Sequence, residues 1–419
     1  MSRKLQADEW LFAATVGLAL FGVVVVYSSS AVVAQEQHGN GYHYVVRQAA
    51  WTVIGFAVMF AAMRFDYRRL RDGRIVYGLL GVAAVLLVAV FTFPPINGAQ
   101  RWIRFGGFSM QPSELSKVAM VIFLARFLER RVGEEGALWL TFVPCVAISG
   151  FFAMLIVVEP DLGTALMLAM LCLVMCFAAG VRLLHLAAAV GPALVGVLGL
   201  LVLVPWRMRR LGAFLDPWKD SQGAGYQVVQ SLIAVGSGGV KGVGFAEGKQ
   251  KMFFLPFAHS DFIFATIGEE LGLMGALAVV AAFGLFLWRG VRVSVRAPDR
   301  FGRLLALGIV TMIVAQALFN ISVVLALLPT KGIPLPFISY GGSSLVPTLF
   351  AAGVLLNISQ HAGSRNLGAK RDAKESPERR PRRNARSVLA PRGYVVPLWQ
   401  QPSTLSIREA TKLNGRCAY

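Results

Sequence analysis

Long runs of apolar residues, separated by short polar or basic segments, recur from the N-terminus to about residue 360. Each run approaches the roughly 20 apolar residues that a helix needs to cross the hydrocarbon core of a bilayer. The pattern therefore predicts an all-α polytopic membrane protein with about ten spans. We place them at 11–33, 45–63, 75–93, 112–128, 138–158, 164–181, 186–205, 262–288, 303–328 and 345–359.

The composition excludes a soluble protein. Of the 419 residues, 56% are hydrophobic and 15% are charged, whereas a soluble domain carries about a quarter charged residues. The first apolar run follows Arg3 and Lys4 and resembles a secretory signal. At about 23 residues it is longer than the roughly 7–15 residues of a cleavable signal, so we interpret it as an uncleaved first span.

Basic residues predict the orientation of the spans. Counted over ten spans, the short connections on one side hold Arg3, Lys4, the arginines of 64–74, Arg130, Arg131 and the arginines of 289–303. Short loops rich in lysine and arginine stay in the cytoplasm. We therefore expect both termini to be cytoplasmic.

The net charge is +19, and about half of this excess lies in the tail, residues 361–419. The tail is polar and proline-containing, without apolar periodicity, which predicts disorder beyond a membrane domain of residues 1–360. In a membrane protein such a basic segment favours cytoplasmic retention and contact with anionic lipid. We exclude nucleic acid as a partner because the tail lacks the patterned aromatic residues of a single-strand groove.

Cysteine and histidine predict neither a disulfide nor a metal centre. Cys145, Cys172 and Cys176 lie inside apolar runs and Cys417 lies in the tail, so none is placed to cross-link an outer loop. The five histidines are scattered.

Two predicted outer loops break the charge rule. The long loop 206–260 carries Arg207, Arg209, Arg210, Lys219, Lys241, Lys249 and Lys251, and the shorter loop 94–111 adds Arg101 and Arg104. Long loops cross membranes regardless of charge, which is one explanation. The other is that the cations face an anionic ligand, for which phosphate or pyrophosphate suits arginine forks and lysine ammonium groups.

The segment 101–117 combines basic, Gly-rich and acidic residues. Pro112 and Glu114 are typical of a helix start, because proline is tolerated at the first position and a carboxylate is favourable near the N-terminal dipole. Lys117 lies one turn further into the span, where an ammonium facing lipid is expensive. We therefore expect it to face the protein interior and to pair with Glu114.

Three further segments are polar and Gly-rich for connections between spans. The turn 159–164 has Asp161 or Thr164 as a candidate helix cap. The long loop has a glycine run at 236–244, which lacks the Gly-Lys-Ser/Thr spacing of a nucleotide site, so we expect its glycines to permit a tight turn. This second segment closes with His259 to Gly272, which includes the adjacent acids Glu269 and Glu270, and the third segment is Pro329 to Ser344.

The span that begins near residue 262 contains glycines and adjacent acidic residues, and each group has a structural interpretation. Gly268, Gly272 and Gly275 lie on or near one face, where close helix packing is a sufficient explanation. Glu269 and Glu270 lie about two turns into the span and are costly there unless they face the interior.

Together these four segments resemble the SEDS family (shape, elongation, division and sporulation), the FtsW/RodA/SpoVE type, over roughly residues 8–360. The resemblance implies a glycosyltransferase that polymerises lipid II into β-1,4 glycan strands on the outer face of the bacterial cytoplasmic membrane. It also implies partnership with a class B penicillin-binding protein, a transpeptidase, and with other division proteins. The segments around Val26–Ser30, Gly225–Ala234 and Pro329–Gly332 are more similar to the division branch than to the elongation branch.

The resemblance also implies site residues. Asp261, just before Phe262-Ile263-Phe264, matches the family's essential aspartate. Trp102, Glu114, Lys117, Lys331 and the loop from Ser339 through Ser343 to Ser344 match its cavity residues. One position departs from the family: Phe257 follows Pro256, where the family usually has an acidic residue.

Glycan extension needs a base for the acceptor's 4-hydroxyl and positive charge for the departing pyrophosphate. Asp261, beside His259, is the candidate base, although an aspartate before a span is also a favoured helix cap. The candidate cations are Arg101, Arg104, Arg207, Arg209, Arg210, Lys249, Lys251 and Lys331. A divalent cation, Mg²⁺ or Mn²⁺, could assist, but no residue cluster demands one.

Three alternative functions are open from the sequence. An elongation-type polymerase would share this chemistry. A lipid II flippase would also use interior polar residues, and paired broken helices in two symmetric halves would favour it; the sequence indicates none. A non-catalytic scaffold for a transpeptidase would need Asp261 only as a cap.

Overall fold

The computed structural model describes residues 7–95, 98–105 and 108–375, and it describes no side chains at 105, 108, 205–207 and 363–375. The described residues form twelve α-helices. These are α1 Glu9–His38, α2 His43–Arg64, α3 Gly73–Ala89, α4 Pro112–Glu129, α5 Val143–Val158, α6 Leu162–Ala179, α7 Leu183–Val202, α8 Pro205–Leu215, α9 Tyr226–Gly238, α10 Ile263–Arg296, α11 Arg300–Val324 and α12 Gly342–Glu375.

The short elements are two 3-10 helices, Tyr67–Arg71 and Val90–Thr92, and a π-helical turn, Leu138–Phe142, that leads into α5. Strands β1 Ile103–Phe105 and β2 Phe108–Met110 pair antiparallel in the loop before α4.

Within the described part, nine helices are long and apolar enough to cross a membrane. The tenth predicted span is α4, which is less apolar than these nine because it carries Glu114, Lys117, Arg126 and Glu129. Nearly all of α4 is buried, so protein rather than lipid surrounds its charges. The prediction of a polytopic helical membrane protein is confirmed.

Helix α11 lies at the centre of the bundle, in contact with α4, α6, α9 and α10. Most of its residues are buried, and they include Gln316 and Asn320 near its C-terminal end. By contrast, Leu186 is the one described residue of α7 that is buried. Helix α7 therefore presents its apolar side chains outward, as a helix in contact with lipid would.

The predicted outer loop contains two helices, α8 and α9, that the sequence analysis did not predict. Helix α10 is broken at Gly272, where φ is 63°. The predicted turn of the glycine run packs against this break, since Val243 N donates to Glu269 O at 3.0 Å and Leu273 N to Gly239 O at 2.9 Å. Gly272 thus marks a break, whereas Gly268 is a packing position, because a Cβ there would lie 3.2 Å from Val235.

The basic segments predicted to share one side meet at one end of the bundle. Arg71 pairs with Glu129 at 2.9 Å, Arg300 with Glu135 at 2.9 Å, and Arg289 with Asp8 at 2.6 Å. We call this the basic end. The turn 159–161, Asp261 and Lys331 belong to the connections at the opposite end of their helices.

The buried cysteines Cys145, Cys172 and Cys176 carry free thiols. Cys417 lies outside the described residues, as does most of the tail for which disorder is predicted. Helix α12 continues to Glu375, beyond the predicted end of the last span.

Candidate active site

Asp261 lies between the long loop and α10, at the end of the bundle opposite the basic end. The N-cap of α10 is Phe262, whose side chain has no atom that can accept a hydrogen bond. Asp261 is therefore not the N-cap of this helix, and the capping interpretation of its carboxylate is wrong.

Asp261 lines a cavity of about 300 Å³, which we call the polar cavity. The cations Arg101, Arg210 and Lys331 also line it. Its other walls include Trp102, Phe257, Tyr340 and Ser343. Residues from loop 94–111, α8, the long loop and loop 325–341 thus meet around one carboxylate.

Removal from water raises the pKa of Asp261 to about 6, and the negative charge of Asp161 acts in the same direction. The positive charges of Arg101 and Arg210 oppose this rise. Near neutral pH such a group is mostly ionised and can still take up a proton, which is the property that a general base needs.

A second cavity of about 210 Å³, the apolar cavity, lies beside the first. The two share Arg101, Arg210, Thr330, Lys331 and Gly332 in their walls. The rest of the apolar cavity is lined by Asp161 and by apolar residues that include Leu166, Val197, Leu201, Phe319 and Leu328. A row of cations therefore separates an apolar space from a polar one that holds a carboxylate.

Arg101 is fixed by the turn between α5 and α6. Its Nε donates to Glu159 O at 3.0 Å, and its Nη2 donates to Pro160 O. In the same turn Asp161 caps α6, as predicted: Thr164 N donates to Asp161 Oδ1 at 3.1 Å. The main-chain bonds leave the guanidinium at the wall of both cavities.

Two glycines permit close packing around Asp261 and Lys331. A Cβ at Gly332 would lie 2.9 Å from Asp261 Oδ2. A Cβ at Gly163 would lie 3.1 Å from Lys331 Cδ and 2.9 Å from Ile333 Cδ1. A side chain at Gly332 would displace the Asp261 carboxylate, and one at Gly163 would displace Lys331 or Ile333.

Ser339 is buried, and its hydroxyl is fully engaged. It donates to Ser260 O at 2.6 Å and accepts from Leu335 N at 2.7 Å. Its role in the structure is to tie loop 325–341 to the segment before α10. Ser343, by contrast, lies in the wall of the polar cavity.

Glu114 and Lys117 form the predicted buried pair, with Lys117 Nζ 2.8 Å from Glu114 Oε1. Lys117 Nζ also donates to Gln316 Oε1 at 2.5 Å, and Gln316 Nε2 donates to Pro334 O at 3.0 Å. The pair thus lies behind loop 325–341 and supports it. Neither residue is among those described around the polar cavity.

Lys251 is buried in an ion pair with Glu270, 2.6 Å from its Oε1, and it also donates to Ser28 Oγ at 3.0 Å. Lys249 is exposed, and its main-chain N–H donates to Glu269 Oε1 at 2.7 Å. Both glutamates face the interior, as predicted, and they fasten the long loop to α1 and α10. Neither lysine is among the residues described around the two cavities.

His259 stacks on Tyr44, with ring centroids 4.9 Å apart, and lies edge-on to Tyr340 at 5.7 Å. Burial lowers the pKa of His259 to about 4, so the ring is neutral at physiological pH. In this structure His259 supports Tyr340 in the cavity wall and adds no positive charge.

Arg104 and Arg209 are exposed, and the side chain of Arg207 lies outside the described residues. In the described part of the chain, no group of three or more His, Cys, Asp or Glu could hold a metal ion. Sequence reasoning missed Asn320 and Gln316, whereas Tyr340 lies in the predicted loop from Ser339 to Ser344. A buried amide inside an apolar helix was the only signal available for these two.

A bundle of membrane helices that holds a partly buried carboxylate and several cations at one end defines a polytopic membrane protein with an enzyme-like site. The family model for FtsW, RodA and SpoVE, described as a cell cycle protein family, matches residues 9–364. The chain belongs to this family, and the resemblance drawn from the loop motifs is confirmed.

Two curated relatives illustrate the match. A Geobacter metallireducens protein named "Probable peptidoglycan glycosyltransferase FtsW" is 44% identical over 349 residues, 82% of this chain and 92% of the relative. The "Stage V sporulation protein E" of Bacillus subtilis is 40% identical over 365 residues, 86% of this chain and 99% of the relative.

Solved structures share the fold. A chain from a peptidoglycan synthase complex, described as coordinating polymerization and crosslinking, matches with a TM-score of 0.70 and 28% identity, over 85% of this chain and 99% of that chain. The rod shape determining protein RodA of Thermus thermophilus matches with a TM-score of 0.61 and 26% identity, over 85% of this chain and 97% of that chain.

Proposed function

We propose that this chain polymerises lipid II into β-1,4 glycan strands at the outer face of the bacterial cytoplasmic membrane, with Asp261 as the general base. The chain is a peptidoglycan glycosyltransferase of the septal type, given its family and the names of its relatives. The single observation that carries the role of Asp261 is its position in one cavity with Arg101, Arg210 and Lys331.

In the proposed reaction the acceptor's 4-hydroxyl oxygen attacks the anomeric carbon of the donor. As the new C–O bond forms, the bond to the undecaprenyl pyrophosphate breaks, and the hydroxyl proton passes to the Asp261 carboxylate. A single displacement on an α-linked donor inverts the anomeric carbon and gives the β linkage. Burial raises the pKa of Asp261 to about 6, which makes it a stronger base than an exposed aspartate.

The cations shared by the two cavities lie where the leaving group would develop its charge. Fixed positive groups aimed at developing charge stabilise a transition state more than a solvent can. We place the donor pyrophosphate at Arg101, Arg210 and Lys331, with the start of its polyprenyl chain in the apolar cavity. The acceptor then occupies the polar cavity, which contains Asp261 and Trp102.

The proposed orientation has the basic end and both termini in the cytoplasm, since lysine and arginine favour the cytoplasmic side. It exposes the Asp261 end to the outside, where wall polymer forms. We further propose a class B penicillin-binding protein transpeptidase as partner, together with other division proteins and anionic membrane lipid. The likeness to a chain from a synthase complex supports the first of these.

The test is polymerisation of purified lipid II by the purified full chain in detergent, where transport cannot be measured, with and without a candidate transpeptidase. Asp261→Asn should abolish product. Asp299→Asn is the matched control: Asp299 caps α11 through Gly302 N at 3.0 Å, near the basic end, and asparagine caps equally well. Polymer from folded Asp261→Asn at the wild-type rate would refute the assignment.

The same assay tests a divalent cation. We propose that any Mg²⁺ or Mn²⁺ that takes part in the reaction enters the site bound to the pyrophosphate. The positive charges that the protein itself provides at the polar cavity are arginine and lysine side chains. When a chelator is titrated at a fixed concentration of lipid II, the polymerisation rate should fall in proportion to the concentration of the free ion. The midpoint of thermal unfolding of the protein without substrate should stay constant. A drop in that midpoint would contradict the proposal, since it would indicate an ion bound by the protein itself.

A further inference from the structure

Three consecutive main-chain carbonyls before α10 are each held by a donor from elsewhere in the chain. Tyr340 N donates to His259 O at 3.0 Å, and Ser339 Oγ donates to Ser260 O at 2.6 Å. Asn320 Nδ2 donates to Asp261 O at 2.7 Å. Loop 325–341 supplies the first two donors and α11 supplies the third.

Asn320 also donates to Ile333 O, at 2.8 Å, so both hydrogens of its amide are used. The side chain is 1% exposed. The reversed amide would set its oxygen against two carbonyl oxygens, so the nitrogen must face them. One side chain therefore joins the main chain of Asp261 to the loop that carries Lys331 and Gly332.

The bridge has a rigid support. Gln316, one turn earlier on α11, donates to Pro334 O at 3.0 Å and accepts from the buried Lys117. Two amides on one helix face thus hold the consecutive carbonyls of Ile333 and Pro334. Since α11 is the central helix of the bundle, it fixes the loop and Asp261 to one common frame.

We propose that Asn320 is a positioning residue, which sets the separation between the Asp261 carboxylate and the cations of the shared cavity wall. The proposal rests on the proposed function, in that Asp261 is the base. Asn320 acts through main-chain carbonyls. A base must lie within about 2.6–3.2 Å of the proton it takes. A misplacement of about 1 Å costs on the order of a hundredfold in rate.

The test compares Asn320→Leu with Asn357→Leu. Leucine has the branched shape and the same number of non-hydrogen atoms as asparagine, and it cannot donate. Asn357 is a matched residue near the basic end: it is buried, accepts from Tyr67 N at 3.0 Å and donates to Met63 O at 2.8 Å. Both variants should therefore lose comparable thermal stability. Turnover per folded molecule separates a positioning role from a structural one.

For Asn320→Leu we expect kcat on purified lipid II to fall on the order of a hundredfold, with a much smaller change in KM. The acid limb of the pH–rate profile should also move, since Asp261 would lie at a different distance from Arg101. Asn357→Leu should keep the wild-type kcat and profile. Equal kcat values per folded molecule in the two variants would overturn the proposal.

Asn320→Ser covers the case in which the leucine variant does not fold, because a hydroxyl can donate to only one of the two carbonyls at a time. We expect it to fold and to lose kcat to a lesser extent, and wild-type kcat would count against the proposal. Asp261→Asn separates the two hypotheses. If that variant is active the base assignment fails, and if it is inactive while Asn320→Leu behaves as the control, only the positioning role fails.

Discussion

The ionisation of Asp261 makes the activity depend on pH in a range where an ordinary aspartate would not titrate. With a pKa of about 6, about nine-tenths of the carboxylates are ionised at pH 7 and about one-tenth at pH 5. The rate of glycan formation should therefore fall about tenfold between these values. An exposed aspartate, with a pKa near 3.9, would remain more than about nine-tenths ionised at pH 5.

The same shift predicts a gain in stability when the carboxylate is removed. The pKa of Asp261 is higher in the folded state than in the unfolded state, so its contribution to stability is fully present below about pH 4 and is lost as the pH rises through about 6. Asn at this position stays neutral. At pH 7.5 Asp261→Asn should be more stable than wild type by at most about 3 kcal/mol before solvent screening, and the difference should vanish near pH 4.

The assay is the initial rate of lipid II polymerisation per folded molecule from about pH 5 to about pH 8, in parallel with thermal unfolding in the same detergent. The signature of a buried base is an inactive variant that is more stable than wild type at neutral pH. A structural carboxylate would instead give an active variant of equal or lower stability. A flat rate profile between pH 5 and pH 7 would refute the reasoning.

Three further changes test the walls of the polar cavity. Lys331→Gln removes a cation from the shared wall and should lower kcat on the order of a hundredfold, with binding and stability changed less; an unchanged kcat would remove Lys331 from the leaving-group site. Gly332→Ala sets a methyl group against the Asp261 carboxylate and should lower kcat about tenfold or more, whereas the control Gly17→Ala meets open space and should not. Phe257→Glu places a second carboxylate in this cavity, so it should raise the pKa of Asp261 and move the acid limb of the rate profile to higher pH; a shift to lower pH would contradict this geometry.

The basic residues of the outer loops have two different roles. Some anchor a loop to the helix bundle, and others supply positive charge at the cavity wall. Lys251 forms an ion pair with Glu270 in the protein interior, where an unpaired ammonium would be costly. Arg101, whose guanidinium is held by main-chain carbonyls, keeps its charge directed at the cavity wall. The excess of positive charge in these loops therefore has two origins, of which only one concerns the proposed anionic substrate.

The sequence by itself determined the membrane helices, since lipid requires about 20 apolar residues per span and this requirement is local. It also determined the inward orientation of Lys117, Glu269 and Glu270, because a charge facing lipid is too costly. The motif before α10 identified Asp261, although position alone favoured a helix cap. The helices α8 and α9 escaped prediction because they are short and lie in a polar, Gly-rich loop.

Only the tertiary structure decided which partners these side chains have. Asn320 reaches Asp261 across 59 positions of the chain, and Lys251 reaches Ser28 across 223. Such pairs depend on how helices pack, which hydropathy and helix periodicity do not encode. For the same reason the sequence assigned Lys331 and Lys251 alike to the substrate. In the folded protein Lys331 lies in the wall of the cavity, whereas Lys251 lies in a buried ion pair with Glu270. The packing of each loop against the helices decides which of these environments its lysine has.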